Sequence, residues 1–267
     1  MLKRKIIVIL TKEKIVKTLE EIGVVKGDLI IVHTSLSSFG RVVSGGAQTI
    51  IESLLEAIGS EGTIVMPTQS WKNLDPETGV HGEVSKEDAE VIRQTWPAYN
   101  KNITPTNTMG SVAEMFRLYP GSHRSDHPAR SFAANGKLAE YIISNHDLSD
   151  IFGATSPLNK LYNKQAKILL IGVDYDKNTS IHLADELADY PSKHTETHFS
   201  SILENGKRVW KKYETLYVDG EDFGKIGEEF EIKYPVNSMK LGESTLRLMS
   251  QRNLVDFSVE WIEANRG

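Results

Sequence analysis

The segment 178–186 places a histidine and two carboxylates at helical spacing. It begins with residue types that commonly cap helices and reads Asn178-Thr179-Ser180-Ile181-His182-Leu183-Ala184-Asp185-Glu186. On a helix, His182, Asp185 and Glu186 lie on one face, because residues three and four positions apart are neighbours. A carboxylate beside an imidazole favours the imidazolium that a general base becomes when it accepts a proton. The same spacing is equally compatible with an exposed ion pair that has no catalytic role.

A second segment, 33–40, places small hydroxyl residues directly after the apolar run Leu29 to Val32. It reads His33-Thr34-Ser35-Leu36-Ser37-Ser38-Phe39-Gly40. In open α/β sheets, ligands bind beyond the carboxyl ends of the strands, where hydroxyls and backbone N–H groups can hold phosphate oxygens. An ordinary serine-rich turn is the alternative. The sequence contains neither the GxxxxGK nor the GxGxxG pattern, so the usual nucleotide-binding loops are excluded.

Two histidines four positions apart occur in a third segment, which reads His123-Arg124-Ser125-Asp126-His127-Pro128 and is followed by Ser131-Phe132. A metal-binding pair would need a helix here, and the neighbouring prolines and Gly121 disfavour one. No third ligand is suitably spaced, so we expect no metal. The chain also lacks a GxSxG pattern, which disfavours a serine hydrolase.

The elements that must position these segments alternate between helices and buried strands. Thr11 to Ile22 and Gly46 to Ile58 have helical apolar spacing, and short apolar runs typical of strands follow each of them. This order predicts an α/β core with a largely parallel sheet. From about residue 198 the sequence pattern changes to that of short strands around the turn 204–207. This change predicts an antiparallel β region at about 198–250. We expect one domain across residues 1–267.

Composition narrows the possible functions. The chain has 267 residues and no cysteine, which excludes disulfides, a thiolate zinc site and a cysteine nucleophile and fits a cytoplasmic protein. Its net charge of −5 predicts no general attraction to nucleic acid and suits a cationic ligand. The basic and apolar N-terminus, Met1 to Leu10, has an apolar run too short for a signal peptide. No stretch approaches the ~20 apolar residues of a membrane span, so no membrane partner is expected.

Seven strings, in order along nearly the whole chain, resemble the aminoglycoside 3-N-acetyltransferases and their Gram-positive bacterial relatives of unassigned substrate. These are His33 to Gly40, Gly45-Gly46-Ala47, Glu61 to Thr68, Arg124 to Pro128 with Ser131-Phe132, Ser156-Pro157-Leu158, Asn178-Thr179-Ser180 with His182 to Asp185, and Gly206 to Trp210. The resemblance implies a three-layer α/β/α sandwich with a largely parallel central sheet and an added antiparallel β region near the C-terminal third.

The resemblance also implies roles for individual residues. Acetyl-coenzyme A would be the cosubstrate, and its pantetheine-diphosphate arm would lie against Thr34, Ser35, Leu36, Ser37, Ser38 and Phe39, with His127 and Ser131. His182 would be the general base in a direct transfer without an acyl-enzyme, and no metal would be needed. The family usually has glutamate three residues after this histidine, where this chain has Asp185. The orienting carboxylate is therefore Asp185, its neighbour Glu186, or Glu214 after the Trp210 strand.

The implied acceptor is the 3-amino group of an aminoglycoside, a small-molecule amine with several positive charges. Carboxylates of the long loop 69–108, above all Asp75 and Glu77, together with Glu186, are expected to hold this polycation. The alternatives are another amine metabolite or antibiotic as acceptor, or a protein that binds coenzyme A without turnover. Either a monomer or a homodimer would suit this function.

Overall fold

The computed structural model describes residues 9–267. The segment 1–8, which carries most of the N-terminal run weighed as a signal peptide, lies outside the described residues. The strands are β1 Ile9–Leu10, β2 Leu29–Thr34, β3 Val42–Val43, β4 Thr63–Pro67, β5 Ser122–Arg124, β6 Phe132–Gly136, β7 Lys167–Ile171, β8 Thr195–Glu204, β9 Lys207–Leu216, β10 Asn237–Leu241 and β11 Ser244–Ser250. The α-helices are α1 Lys12–Ile22, α2 Gly46–Ile58, α3 Lys86–Thr95, α4 Gly110–Arg117, α5 Ala139–Ile143, α6 Pro157–Asn163, α7 His182–Leu187, α8 Phe223–Lys233 and α9 Gln251–Asn265.

The central sheet has seven strands in the order β10-β11-β7-β2-β4-β6-β5. Strands β7, β2 and β4 are parallel at its centre, while the pairs on both sides are antiparallel. Five of the seven strands therefore point in the same direction, and β11 and β6 point in the opposite direction. The sheet is thus largely parallel in strand direction, as predicted, but only the neighbouring pairs β7–β2 and β2–β4 are parallel. Short connections explain the antiparallel pairs β10–β11 and β5–β6, because parallel neighbours need a long crossover.

Two hydrophobic clusters share the strands of this sheet. Successive residues of β7 alternate between them: Ile168 and Leu170 belong to one cluster, and Leu169 and Ile171 to the other. Helices α1, α2 and α4 supply residues to the second cluster, and α5 to α9 supply residues to the first. Because both sets of side chains are buried, the central strands are continuous apolar runs, which made them recognisable in the sequence.

A separate two-stranded sheet is formed by β8 and β9, which pair over their full length. Their turn contains Asn205 and Gly206, both with positive φ (51° and 73°), as a tight hairpin requires. The hairpin is the added antiparallel sheet, and it lies within 195–216. The rest of the predicted β region at about 198–250 contains helix α8 and the strands β10 and β11, which pair with the central sheet instead.

Helix α8 offers a matched test of the packing that surrounds the site. A Cβ atom on the buried Gly227 would lie 2.0 Å from Cγ of Tyr175, whereas one on Gly224 in the same helix would meet nothing within 4 Å. Gly227→Ala should lower the free energy of unfolding by about 1–3 kcal/mol through overpacking. Gly224→Ala should leave it unchanged or raise it by up to about 1 kcal/mol through helix propensity. Urea unfolding measures both, and equal stabilities of the two variants would contradict this packing.

Candidate active site

The His182 imidazole is fixed between two aromatic rings at the start of α7. It stacks on Phe152 with a centroid distance of 4.6 Å and an interplanar angle of 2°, and it meets the edge of Phe223 at 4.7 Å. A short 3-10 helix, Thr179–Ile181, precedes it, and the side chain of Asn178 accepts a hydrogen bond from the Ser180 N–H at 3.3 Å. The capping residues noted in the sequence thus fix the backbone that precedes His182.

Asp185 contacts the histidine from one helical turn away. Its Oδ2 lies 2.9 Å from Nδ1 of His182, and its side chain is 0% exposed. Its Oδ1 accepts a hydrogen bond from Nη1 of Arg266 at 2.6 Å. Because an ionised carboxylate can only accept hydrogen bonds, Nδ1 of His182 carries the proton and Nε2 keeps a free lone pair. This is the tautomer that a general base requires.

Arg266, the penultimate residue, holds two carboxylates together. Besides Asp185 it binds Asp222 through two parallel bonds, from Nε to Oδ2 and from Nη2 to Oδ1, each 2.7 Å. Although burial opposes it, the hydrogen bonds and charges of Asp222 and Asp185 raise the pKa of the Arg266 guanidinium above its ordinary value. Arg266 therefore neutralises a carboxylate that is closed to solvent.

The other two carboxylates considered for orienting the histidine lie elsewhere. Glu214 sits on β9 with an exposed side chain, where it accepts a hydrogen bond from Thr197 and lies 3.6 Å from Lys212. The contacts of Glu214 do not include His182, whose hydrogen-bonding carboxylate in the structure is Asp185. Glu186 is half-buried, and burial together with the nearby Asp150 raises the pKa of its carboxyl to about 7. A carboxyl that is partly protonated near neutral pH is poorly suited to the predicted role of holding a polycation.

A cleft of about 350 Å³ opens beside the His182 ring. Its walls come from the loop after β4, the loop before β6, the segment before α7 and the segment before α8. The lining side chains that carry charge or aromatic character are Trp71, Arg130, Asp176, Lys177, His182, Asp219 and Phe223. We call this the histidine cleft.

A larger cleft of about 560 Å³ lies past the end of β2, and we call it the serine cleft. Thr34, Ser35, Leu36 and Ser37 line it, as predicted for the cofactor loop. Ser38 and Phe39 do not, because the Ser38 hydroxyl bonds to the Ser35 carbonyl and to Ser244, and Phe39 is buried in the core. Met109, Lys177 and Thr179 line both clefts, so the serine cleft continues into the histidine cleft.

The serine cleft is suited to an anionic ligand. The 3-10 helix Leu36–Phe39 and helix α4 both begin at its wall, at Leu36 and at Gly110. The first N–H groups of a helix lack acceptors within it, and the helix dipole favours negative charge there. Thr34 Oγ1 and His33 Nε2 are buried without a hydrogen-bond partner among residues 9–267. Burial lowers the pKa of His33 to about 3, so its ring is neutral. These features fit the diphosphate arm of coenzyme A.

His127 and Ser131 were predicted to bind the cofactor, and the structure gives them a different place. His127 Nδ1 accepts hydrogen bonds from the N–H groups of Ala129 and Arg130, at 3.2 and 3.0 Å. The Ser131 hydroxyl donates to the Thr68 carbonyl at 2.8 Å and accepts from Arg124. Both residues are buried and line neither cleft. Their contacts shape the turn 127–131. His127 Nε2 has no hydrogen-bond partner among residues 9–267, and His127 lines a separate pocket of about 500 Å³ beside Tyr99 and His146.

Asp75 and Glu77 were predicted to hold the acceptor, but both pair with Arg93. Asp75 receives two hydrogen bonds from that guanidinium, each 2.8 Å, and Glu77 lies 3.1 Å from it. Although burial opposes it, the bonds from Arg93 lower the pKa of Asp75. Neither carboxylate lines the histidine cleft. The acidic residues of this loop therefore anchor helix α3, and the carboxylates at the cleft are Asp176 and Asp219.

Several residues of the site had no strong signal in the sequence. Arg266 follows the last predicted helix, and Phe152 is one apolar residue among many. Lys177 and Asp176 stand directly before the helix-capping residues of the histidine segment, so their position past strand β7 could have marked them.

No group of three histidine, aspartate or glutamate side chains suited to a metal ion occurs in the part of the chain that the structure describes. None of the described helices has the length and apolar character needed to cross a membrane.

The serine cleft provides a direct test of the cofactor loop. Ser37→Leu would place a bulky side chain where the backbone must approach a phosphate closely, and should weaken acetyl-coenzyme A binding by about tenfold or more, ~1.4 kcal/mol. Ser60→Leu, in an exposed turn after α2, is the matched control and should bind normally. Isothermal titration calorimetry measures both. If Ser37→Leu weakens the binding of an amine acceptor as much as that of acetyl-coenzyme A, the loop is not the cofactor site.

The chain is similar to known proteins along most of its length. The family model described as aminoglycoside 3-N-acetyltransferase matches residues 31–263. The SPbeta prophage-derived aminoglycoside N(3')-acetyltransferase-like protein YokD of Bacillus subtilis is 40% identical over 96% of this chain and 93% of its own length. Its crystal structure superposes with a TM-score of 0.93 at 39% identity, covering 97% of this chain and 95% of that one.

Two solved structures with ligands are similar as well. AAC-VIa bound to sisomicin has a TM-score of 0.88 at 28% identity, covering 97% of this chain and all (100%) of that one. AAC-IIIb in a binary complex with CoASH has a TM-score of 0.86 at 26% identity, covering 97% and 98%. With a family match over most of its length and a relative at 40% identity, this chain belongs to the aminoglycoside 3-N-acetyltransferase family.

Proposed function

We propose that this protein transfers the acetyl group of acetyl-coenzyme A to the 3-amino group of an aminoglycoside, with His182 as the general base. The observation that carries the proposal is the junction of the two clefts at Met109, Lys177 and Thr179, beside an imidazole whose Nε2 is free. A relative bound to sisomicin and another bound to CoASH support the two substrate classes.

The cosubstrate supplies an acetyl thioester, whose carbonyl carbon is the electrophile. His182 Nε2 takes one proton from the amine as its nitrogen forms the new C–N bond. The imidazolium is stabilised by Asp185 and returns the proton to the leaving sulfur as the C–S bond breaks. The products are the N-acetyl amide and free coenzyme A, and no residue of the protein is acylated.

Cofactor binding is assigned to the serine cleft, with the backbone of Ser35, Leu36 and Ser37 and the start of α4 facing the phosphates. The orienting role is assigned to Asp185. A protein that binds coenzyme A without turnover is less well supported, because the shorter aspartate still reaches both His182 and Arg266 at hydrogen-bonding distance.

We propose further that the chain forms a single three-layer α/β/α domain that acts in the cytoplasm as a monomer or homodimer. The two hydrophobic clusters support one domain, since they use alternate residues of the same strands. The absence of cysteine from the sequence fits a reducing compartment.

His182→Asn should lower turnover by at least about a hundredfold, because the amide cannot accept the amine proton. Acetyl-coenzyme A should still bind, since the serine cleft is unchanged. A free-thiol assay with an aminoglycoside and calorimetry with the cosubstrate measure the two effects. Turnover equal to that of the unmodified protein would remove His182 from the mechanism.

Arg266→Gln should lower turnover by about tenfold or more, since the buried Asp185 then loses its cationic partner. The acidic limb of the pH–rate profile should also move to higher pH, because the imidazolium no longer faces a positive charge and holds its proton longer. Arg266→Lys should recover part of both effects.

Arg252→Gln is the matched control, because Arg252 lies on α9 and contacts the Tyr162 carbonyl instead of the site. Both its turnover and its pH profile should equal those of the unmodified protein. A pH profile that stays unchanged in Arg266→Gln would mean that the arginine has only a structural role.

A further inference from the structure

Arg130 lies in the wall of the histidine cleft, on the turn 127–131, whose backbone is held by hydrogen bonds. Its backbone N–H donates to Nδ1 of His127 at 3.0 Å, and the carbonyl of the preceding Ala129 accepts from the Ser70 N–H at 2.9 Å. The guanidinium carbon lies 5.3 Å from the centre of the Trp71 ring, a cation–π distance. Both side chains donate to Oε1 of Gln69, Arg130 at 3.3 Å. The guanidinium thus has a defined position in the cleft.

This guanidinium has unused hydrogen-bonding capacity. Arg93, Arg117, Arg247 and Arg266 each pair with carboxylates. The buried Arg124 has no carboxylate but reaches the carbonyl oxygens of Thr68 and Thr104 and two hydroxyls. Arg130 pairs with no carboxylate of residues 9–267, and its side chain makes one long bond to an amide. Because a guanidinium has five N–H donors, most of those on Arg130 remain for a ligand.

Burial lowers the pKa of Arg130, and the charges of Tyr213 and Glu196 oppose that effect only in part. The Glu196 carboxylate itself bonds to Nε2 of His198 at 2.8 Å. The cation is therefore partly desolvated without a counter-ion of its own, a condition in which an incoming oxyanion gains a charge-assisted and often bidentate pair.

The histidine cleft contains three charged side chains besides Arg130 and the histidine itself. Lys177 and Asp176 lie 2.9 Å apart and offset each other. Asp219 forms no ion pair among the described residues, and its Oδ1 accepts only the Glu221 N–H, at 3.2 Å. The cleft therefore presents one cation and one anion that are each without an oppositely charged partner.

We infer that Arg130 forms a subsite for an oxyanion, so that the histidine cleft acetylates primary amines that also carry a carboxylate or phosphate group. Asp219 is the carboxylate available to the ammonium of such a molecule. The ammonium loses one proton to solvent to give the neutral amine, and His182 then takes one proton from that amine as in the proposed transfer. This inference rests on the proposed function. It adds a substrate class to the aminoglycosides, whose positive charges Arg130 repels.

The test compares acceptors that differ only in the anion. In a free-thiol assay with acetyl-coenzyme A, β-alanine is paired with β-alanine amide and phosphoethanolamine with ethanolamine. In the unmodified protein we expect KM for β-alanine and for phosphoethanolamine to be at least about tenfold below that of the partner without the anionic group, as one charge-assisted bond supplies. A preference in only one pair identifies whether carboxylate or phosphate fits the subsite.

Arg130→Gln should abolish this difference in KM while lowering KM for sisomicin, because the repulsion of a polycation is removed. Arg130→Lys should retain part of the preference. Arg252→Gln removes the same charge outside both clefts and should behave as the unmodified protein. Opposite shifts for the anionic and the cationic acceptor cannot arise from a general loss of folding.

Calorimetric binding of phosphoethanolamine and ethanolamine gives a readout that does not depend on turnover. Equal KM values and equal binding within both pairs would overturn the inference, even if sisomicin is acetylated normally. Selective binding of the anionic amines without acetylation of any acceptor would instead support the subsite and contradict the proposed transfer.

Discussion

The buried carboxylate of Asp185 is the constraint on which the rest of the site depends. A fully buried charge costs several kcal/mol unless it is paired and hydrogen-bonded, so both of its oxygens must find partners. One oxygen meets His182 and the other meets Arg266, which in turn binds Asp222. Residues near 182, 222 and 266 are thereby drawn to one point. The ion pairs lie where α7 packs against α9 and where α8 begins, and apolar residues of all three helices share one cluster.

The loops that form the site follow the three parallel strands at the centre of the sheet, so they lie at the same edge of the sheet. The serine loop follows β2, the Gln69 and Trp71 wall follows β4, and the segment leading to His182 follows β7. The first and third of these are tied where the Ser35 N–H donates to the Ile171 carbonyl at 3.0 Å. Gly172 is required at this point, because its φ is 64° and a Cβ atom would lie 1.7 Å from the Ser38 hydroxyl. The close approach holds the serine loop against the end of β7.

Features of the fold and the site could be predicted from the sequence where the residues that determine them are close together in the chain. Helix α2, strand β4 and the turn at Asn205 and Gly206 were predictable, because their patterns are local. The antiparallel direction of β6 was not, since a buried strand has the same apolar run in either direction. β11 lies in the region predicted as antiparallel, but its pairing with β7 of the central sheet was not predicted. His182 and Asp185 were found because a helix brings them together. Arg266 contacts Asp185 across 81 positions of sequence, and no local spacing records that contact.

The same distinction applies to the acidic loop, whose predicted acceptor-binding carboxylates pair with Arg93 and do not line the histidine cleft. A net charge of −5 describes the whole chain, whereas a ligand meets only the charges that are left without partners inside a cleft. The Asp75 carboxylate already accepts two hydrogen bonds from Arg93, 18 residues further along the chain, and is not left without a partner. Arg130 keeps its capacity, because its side chain pairs with no carboxylate of residues 9–267 and bonds only to the amide oxygen of Gln69. An acidic protein can therefore present an unpaired cation beside the histidine proposed as its general base, and the pairing of individual side chains, more than the total charge, decides which amines the cleft can hold.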